Sequence, residues 1–408
     1  MSEQDLLELL KEKEQLHLVD YYQQLSENEQ TRLKEQIEGI DWTLLDCLKQ
    51  KDEESKKGTI TPLHACTIGE IDNNRQRYER IGLEKIKEGK VAAVLLAGGQ
   101  GSRLGCDGPK GTVNIGINHE LYIFEMLFRN TMEVTKLAGV SIPFFIMTSE
   151  KNHEQTVQFL EEHNYFGYPK DEVMCFTQEM APCVDFNGHI LMEEKDRIAF
   201  SPNGNGGWFQ SMKKHGILDI LHEKGIEWLN VFAVDNVLQK ICDPTFIGAV
   251  IDAGMVSGSK VVRKVSPQER VGVMCLEDNK PSIIEYYEMT QEMLDEKNED
   301  GDYAYNYGVT LNYLFRVDCL EQILNSNLPI HYAKKKIPYV TVDGQSMKPT
   351  EPNGYKFEIF ILDMIHMLEN CLPYEVVRNK EFAPIKNATG TDSMESARKL
   401  LLENGVEL

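Results

Sequence analysis

No run in this 408-residue chain approaches the ~20 apolar residues needed to cross a bilayer. No C-x-x-C pair occurs among its nine cysteines. The odd, scattered set (Cys47, Cys66, Cys106, Cys175, Cys183, Cys242, Cys275, Cys319 and Cys371) offers neither a disulfide framework nor a zinc site. The ten histidines show no metal spacing, and no Ser-His-Asp or Cys-His arrangement is legible. Positive charge is scarce: 43 Lys and Arg against 65 Asp and Glu leave a formal net charge of −22. That balance disfavours nucleic acid and anionic membrane as partners, because both need a basic face. The N-terminal MSEQDLLELLKEKEQ is too polar for a signal peptide. Internal repeats and low-complexity tracts are missing too. These absences lead us to expect a reduced, cytoplasmic protein.

What is there is ordinary globular material, 41% hydrophobic. The length suits one large domain with extensions, or two to three packed domains. Residues 2–51 read as helical. Ser2 with Asp5 resembles a cap before an acidic first turn, and Leu6, Leu9, Leu10, Leu16 and Val19 form a loose stripe. KDEESKKG, Lys51 to Gly58, reads as a linker. Strands are expected at Val91–Ala97, Phe144–Thr148, Val173–Phe176, Trp228–Val234, Lys260–Lys264, Val271–Cys275, Ile283–Tyr286 and Thr310–Phe315. Helical stretches at Tyr122–Leu137, His153–His163 and Gly207–Lys224 alternate with the early strands. That alternation predicts an α/β fold with a doubly wound, mainly parallel sheet, the later strands being more antiparallel. Met289–Asp302 reads as an acidic loop or short helix, and Tyr355–Leu368 has apolar residues at helical spacing. The expected division is 1–58 as a helical extension, 59–330 as the main domain and 331–408 as a C-terminal segment.

The most informative stretch is VAAVLLAGGQGSRLGCDGPK, Val91 to Lys110. An apolar run passes directly into Gly98, Gly99, Gln100 and Gly101, with Arg103 and Lys110 beside them. Glycines let the backbone bend tightly and present N–H groups to a ligand. Backbone donors plus two cations are what a nucleoside triphosphate needs. Two better-known phosphate motifs are excluded. A P-loop needs Gly-Lys-Ser/Thr, but Lys110 is preceded by Pro109 and followed by Gly111-Thr112. A dinucleotide fingerprint needs G-x-G-x-x-G, and Leu104 stands where the last glycine should be. In an open α/β sheet, ligands bind beyond the carboxyl ends of strands, so Asp235-Asn236 after Trp228–Val234 is a second candidate; taken alone the pair reads more plainly as a helix cap or turn, but the glycine-rich loop upstream tips it to a ligand site. Gln178 follows a short strand, and its amide has the donor and acceptor for one edge of a base. SPNGNGG, with Gly204 and Asn205, could equally be a surface turn.

LLAGGQGSRLG…PKG resembles the nucleotidyltransferase signature of sugar-nucleotide pyrophosphorylases. FTQEMAPCVD from Phe176, SPNGNGGWF from Ser201, FAVDNVLQK from Phe232, IIEYYE from Ile283, KKIPYV from Lys335 and EFAPIKNA from Glu381 narrow it to the eukaryotic UDP-N-acetylglucosamine pyrophosphorylase family. These motifs run in the family's order from about Leu95 to Ala388.

The resemblance implies a Rossmann-like nucleotidyltransferase fold and a reaction of UTP with N-acetylglucosamine 1-phosphate, with Mg2+ as cofactor. It makes Arg103 and Lys110 catalytic. It places UTP at Leu96, Ala97, Gly98, Gly99, Lys110, Gln178, Gly204, Asp235 and Lys356, with Asp235 holding the magnesium. It assigns the sugar phosphate to Asn205, Gly272, Glu285, Asn306 and Lys386. Two departures stand out. Where the family commonly reads Asn-Ala-Gly-Asn, this chain reads Asn306-Tyr307-Gly308-Val309, and the Val309 side chain can neither donate nor accept. The family also usually continues into a β-rich domain, whereas this sequence stops at Leu408, so a monomer is expected. Val309 keeps a UDP-glucose or UDP-galactose pyrophosphorylase open as an alternative. A non-catalytic nucleotide-sugar binding protein is the other, opposed by intact Arg103, Lys110 and Asp235.

Overall fold

A computed structural model describes residues 2–50, 58–324 and 328–408. The expected linker at Lys51–Gly58 lies, apart from Gly58, outside the described residues. Two compact units are present. One is built from residues 2–50, 179–207 and 328–361, the other from 58–178, 208–324 and 362–408. The units thus interleave along the chain instead of following the sequential division at 58 and 330.

The second unit is mixed α/β around a ten-stranded sheet. The sheet runs in the order Ile60–Pro62, Val273–Glu277, Tyr307–Arg316, Trp228–Ala233, Val91–Leu96, Phe144–Thr148, Val173–Thr177. Off that path, Ser257–Arg263 pairs with Tyr307–Arg316 and Leu372–Glu375, and Lys280–Ile284 pairs with Val273–Glu277. The four strands from Trp228–Ala233 to Val173–Thr177 are mutually parallel, while Tyr307–Arg316 runs antiparallel to its neighbours. Parallel strands need crossovers, and the helices Ile123–Ala138 and His153–Glu162 supply two of them. Every residue of Val91–Leu96 is buried, which is why that strand reads as an unbroken apolar run. Phe128, Phe144 and Phe232 make successive ring contacts through the core, the first tilted and the second edge-to-face, with ring centroids 4.8 and 6.0 Å apart.

The order of the parallel strands positions the site. From Val91–Leu96 the chain winds outward to Phe144–Thr148 and Val173–Thr177, then returns to place Trp228–Ala233 on the other flank of Val91–Leu96. The direction of winding reverses between those two strands, and such a reversal opens a crevice at their carboxyl ends. Leu96 and Ala233 are paired, so Gly98 and Asp235 each emerge two residues beyond the same level.

In the first unit, the helices Glu3–Glu12, His17–Tyr22, Glu27–Glu38 and Thr43–Asp46 share a core with later segments. Ser2 and Asp5 do form a reciprocal capping box. Leu6, Leu10, Leu18, Leu33 and Ile37 pack with Val184, Ile198, Tyr355 and Phe357. Leu16, expected in the apolar stripe, is 48% exposed, and Leu18 is buried in its place. Gln15 and Gln36 complete the union through paired hydrogen bonds. The Gln15 amide donates to the Gly188 carbonyl and accepts from Ile190 N, while Gln36 does the same with Asp196 and Ile198.

Two local expectations need correction. The stretch expected as one helix over 207–224 is two, Trp208–Lys214 and Ile217–Lys224, broken by Gly216 in the left-handed region at φ 71°. The stretch expected as helical over 355–368 begins as a strand, Gly354–Glu358, paired with His331–Lys335, and turns helical only at Ile361–Met367. Tyr355 and Phe357 are buried while Lys356 between them is not, the period of a strand.

Candidate active site

The glycine-rich loop folds back on itself. Gly101 N donates to the Gly108 carbonyl at 2.9 Å and Lys110 N to the Gly99 carbonyl at 3.1 Å, with Gln100 bridging to Pro109. Arg103 sits in a short turn, Ser102–Leu104, at the far end of this loop, and Lys110 lies at its base. Gly98 faces the Gln178 amide: a Cβ there would stand 2.8 Å from Gln178 Oε1. Gln178 is 8% exposed, anchored by its own N–H to the Thr148 carbonyl. A Cβ added at the next residue, Gly99, would meet nothing within 4 Å, so the approach to its backbone is open.

Asp235 lies across from Lys110, with Oδ2 3.7 Å from Nζ. The Lys110 side chain is 14% exposed. Burial pushes its pKa below the ordinary lysine value; Asp235 works in the opposite sense, while Lys386 and Arg103 oppose the charge. Lys110 thus feels two further cations besides the Asp235 carboxylate, a balance that an incoming polyanion relieves. Lys386 itself pairs with Asp392 at 3.3 Å and is half exposed.

Among the residues expected to meet a sugar, Gly272 and Glu285 come together, with Val309 beside them. Val309 N donates to the Gly272 carbonyl at 2.9 Å. A Cβ on Gly272 would stand 3.4 Å from Val309 Cγ2 and 3.6 Å from Glu285 Oε1. Asn306 turns both its carbonyl and Oδ1 to Lys264 N. Gly204, Asn205 and Lys356 belong to the other unit. There the Ile359 carbonyl lies 2.4 Å from where a Gly204 Cβ would be, so that position has room only for glycine, and its φ is 88°. Asn205 Oδ1 accepts from Ile361 N at 3.1 Å.

Sequence reasoning missed Asn152. It is fully buried and opens the helix His153–Glu162. Its Nδ2 donates to the carbonyls of Ala97 (3.0 Å) and Gly99 (3.3 Å), and Oδ1 accepts from Ser149 N. One amide thus holds the start of the glycine-rich loop to the adjacent strand end. It missed a buried ion triad as well: Lys260 Nζ lies 3.0 Å from Asp243 Oδ2 and 2.6 Å from Glu381 Oε2. Burial works against the Lys260 charge, but the two carboxylates outweigh it and hold its pKa above the ordinary value.

A family model described as UTP–glucose-1-phosphate uridylyltransferase matches residues 30–403. The human UDP-N-acetylhexosamine pyrophosphorylase-like protein 1 is 38% identical over 339 residues, which cover 80% of this chain and 67% of that protein. The UDP-N-acetylglucosamine pyrophosphorylase of Saccharomyces cerevisiae is 36% identical over 430 residues, covering 98% of this chain and 90% of the yeast protein. A solved structure of the Trypanosoma brucei uridine diphosphate N-acetylglucosamine pyrophosphorylase, 28% identical, superposes with a TM-score of 0.85 over 99% of this chain and 85% of the other.

Proposed function

Because this chain belongs to the UTP–glucose-1-phosphate uridylyltransferase family, we propose that it is a uridylyltransferase making UDP-N-acetylglucosamine and diphosphate from UTP and N-acetyl-α-D-glucosamine 1-phosphate. The observation that carries this reading is the folded glycine loop with Lys110 at its base and Asp235 opposite, at the point where the strand order reverses. A phosphate oxygen of the sugar phosphate attacks the α-phosphorus of UTP. The bond from that phosphorus to the β-phosphate bridge oxygen breaks, and diphosphate leaves with its electron pair. The attacking oxygen is already an anion, so no protein base is required. The task of the protein is to bring two anions together and to neutralise charge on the transferring and leaving groups.

Lys110 and Arg103 provide fixed cations, and the N–H groups of Gly98 and Gly99 provide donors. Gln178, against Gly98, reads one edge of uracil. Glu285 accepts from sugar hydroxyls beside Gly272, with Asn306 and Lys386 in the same unit; Gly204, Asn205 and Lys356 keep the substrate-contacting roles that the resemblance implies. In this reading the catalytic core is the Rossmann-like unit of residues 58–178, 208–324 and 362–408, in a cytoplasmic protein.

Asp235 suits magnesium. That ion takes one or two carboxylates with phosphate oxygens and waters, rather than an all-protein cage. Among the described residues, no cluster of three or more His, Cys, Asp or Glu could hold a metal unaided, so Asp235 and the nucleotide would share it. When bound, magnesium neutralises the diphosphate leaving group. Asp235→Asn keeps the shape and removes the charge. We expect a large loss of kcat and a magnesium titration displaced to higher concentration, with the thermal midpoint little changed. An unmoved titration would place the metal elsewhere.

Val309 favours a second reading of the sugar. It is an apolar wall 3.4 Å from the Gly272 position, where the family resemblance calls for an amide. Val309→Asn should raise the ratio of kcat/KM for N-acetylglucosamine 1-phosphate over glucose 1-phosphate by about fivefold or more, the ~1 kcal/mol of one added hydrogen bond. A ratio that stays put would show that the pocket does not direct residue 309 at the sugar. The deciding assay is diphosphate release from UTP or ATP with a panel of sugar 1-phosphates. UTP with N-acetylglucosamine 1-phosphate should give the highest kcat/KM. Equal turnover with ATP would overturn the Gln178 assignment, and preference for glucose 1-phosphate would overturn the sugar. No turnover with any pair would leave a nucleotide-sugar binding protein.

A further inference from the structure

Asn236, next to Asp235, is fully engaged. Its Nδ2 donates to the Glu381 carbonyl at 2.8 Å and its Oδ1 accepts from Ala383 N at 2.9 Å. The Asp235 carbonyl accepts from Ile385 N at 2.9 Å. Residues 381–385 are therefore laid along 235–236, and Lys386 is the next residue.

Glu381 is fixed from its other end. Its carboxylate meets Lys260 Nζ, which also donates to Asp243 Oδ2 and to the Lys240 carbonyl. Gln239 donates to the carbonyls of Ala233 and Asn236, and its Oε1 accepts from Asn312, whose own Oδ1 accepts from Asn230. Lys260, Gln239, Asn236, Asn230, Asn312, Asp243 and Glu381 are all buried. Replacing a buried ion triad with apolar side chains of similar volume is often neutral or stabilising, so stability alone does not account for this one. What a satisfied polar network adds is a rigid and unique arrangement.

We propose that Asn236 and Glu381, braced by Lys260, are positioning residues that set Lys386 against Asp235 and Lys110, so that the 381–386 strap is a working part of the phosphate site. The inference rests on the uridylyltransferase reading and specifies how the sugar-phosphate side of it is built. Neither residue touches substrate; both act through Lys386.

The test is a double-mutant cycle. Asn236→Ala and Glu381→Gln are each made in the parent and in Lys386→Ala, and kcat and KM for the sugar 1-phosphate are measured alongside KM for UTP. Each variant should lower kcat/KM for the sugar phosphate about tenfold in the parent. In the Lys386→Ala background the same change should cost less than about twofold, because coupled residues are not additive. A loss of equal size in both backgrounds would make the network merely structural and overturn the proposal. So would parent-like kinetics in both variants. Two variants guard against one that fails to fold. If the parent turns over no sugar phosphate, the functional reading fails. The same cycle, read as the affinity for inorganic diphosphate by calorimetry, then decides the positioning role by the same criterion of non-additivity.

Discussion

Lys110→Ala should lower kcat/KM for UTP by roughly 10²–10³, equivalent to about 3–4 kcal/mol of transition-state stabilisation, the usual cost of one lost preorganised donor. A lysine that is 14% exposed, with its pKa lowered by desolvation and its charge opposed by Lys386 and Arg103, is held at a disadvantage in the free protein. Charge developing on the transferring phosphate makes up that disadvantage, and it does so more strongly in the transition state than with substrate bound. The fold should not suffer. The loop is closed by main-chain bonds, Lys110 N to the Gly99 carbonyl and Gly101 N to the Gly108 carbonyl, which the substitution keeps. Removing a desolvated cation should leave the thermal midpoint unchanged or slightly raised.

The pH profile gives an independent check. On the proposed mechanism the charged form of Lys110 is the active one, and its pKa lies below the ordinary lysine value, so kcat/KM should fall on the alkaline side before an ordinary lysine would titrate. That limb should be absent in Lys110→Ala. A variant that keeps kcat/KM within about threefold of the parent would make Lys110 structural.

How much of this was legible in the sequence follows from where each residue's partners lie. The Val91–Leu96 strand announces itself because both its faces are covered, so every position is apolar. The loop after it is readable because its glycines and its two cations are close neighbours in the chain. Asp235 stands out by the same rule, a carboxylate just past an apolar run. Asn152 was invisible: its partner Ala97 is 55 residues away, and a polar residue at a helix start has a sufficient local explanation. Glu381 and Lys260, 121 residues apart, are worse placed still, since charged residues are exposed by default and only the fold brings these together. The strand at Gly354–Glu358 was misread because five residues of period two run almost directly into a helix at Ile361, and the combined stretch imitates a helical spacing. The N-terminal helices were legible individually, down to the Ser2 cap. Their partners were not, because a stripe such as Leu6 and Leu10 shows that a face is buried without showing what covers it.

Lys260→Met carries the largest expected effect on stability. Lys260 Nζ meets both buried carboxylates, Asp243 Oδ2 and Glu381 Oε2, whereas the more exposed Lys240 reaches Glu381 at 3.6 Å. Methionine nearly matches the aliphatic stem, so packing changes little, but two carboxylates are left with far less compensation in a low-dielectric interior. Breaking a buried pair in this way costs about 3–5 kcal/mol, and denaturant unfolding should read that loss. The sign of its pH dependence follows from the shifts. Burial pushes the Asp243 carboxyl up, but Lys260 above all, with Lys240, outweighs it and holds the group below the ordinary aspartate value. Its contribution is present above the unfolded pKa and disappears as pH falls through the folded one. Lys260 is raised, so its contribution is complete below the unfolded lysine pKa and is lost only at strongly alkaline pH. The parent triad therefore stabilises the protein across the neutral range. In Lys260→Met Asp243 loses its main counter-charge and binds a proton more readily, so the deficit should shrink as pH is lowered from about 8 towards about 5. Neutralising all three positions at once, as Lys260→Met with Asp243→Asn and Glu381→Gln, should recover much of the loss, since burying no charge avoids the penalty of burying unpaired ones. An unchanged unfolding midpoint in the single variant would mean that water or another cation already serves these carboxylates. A deficit that is flat across that pH range would show that lost packing, rather than stranded charge, is its cause.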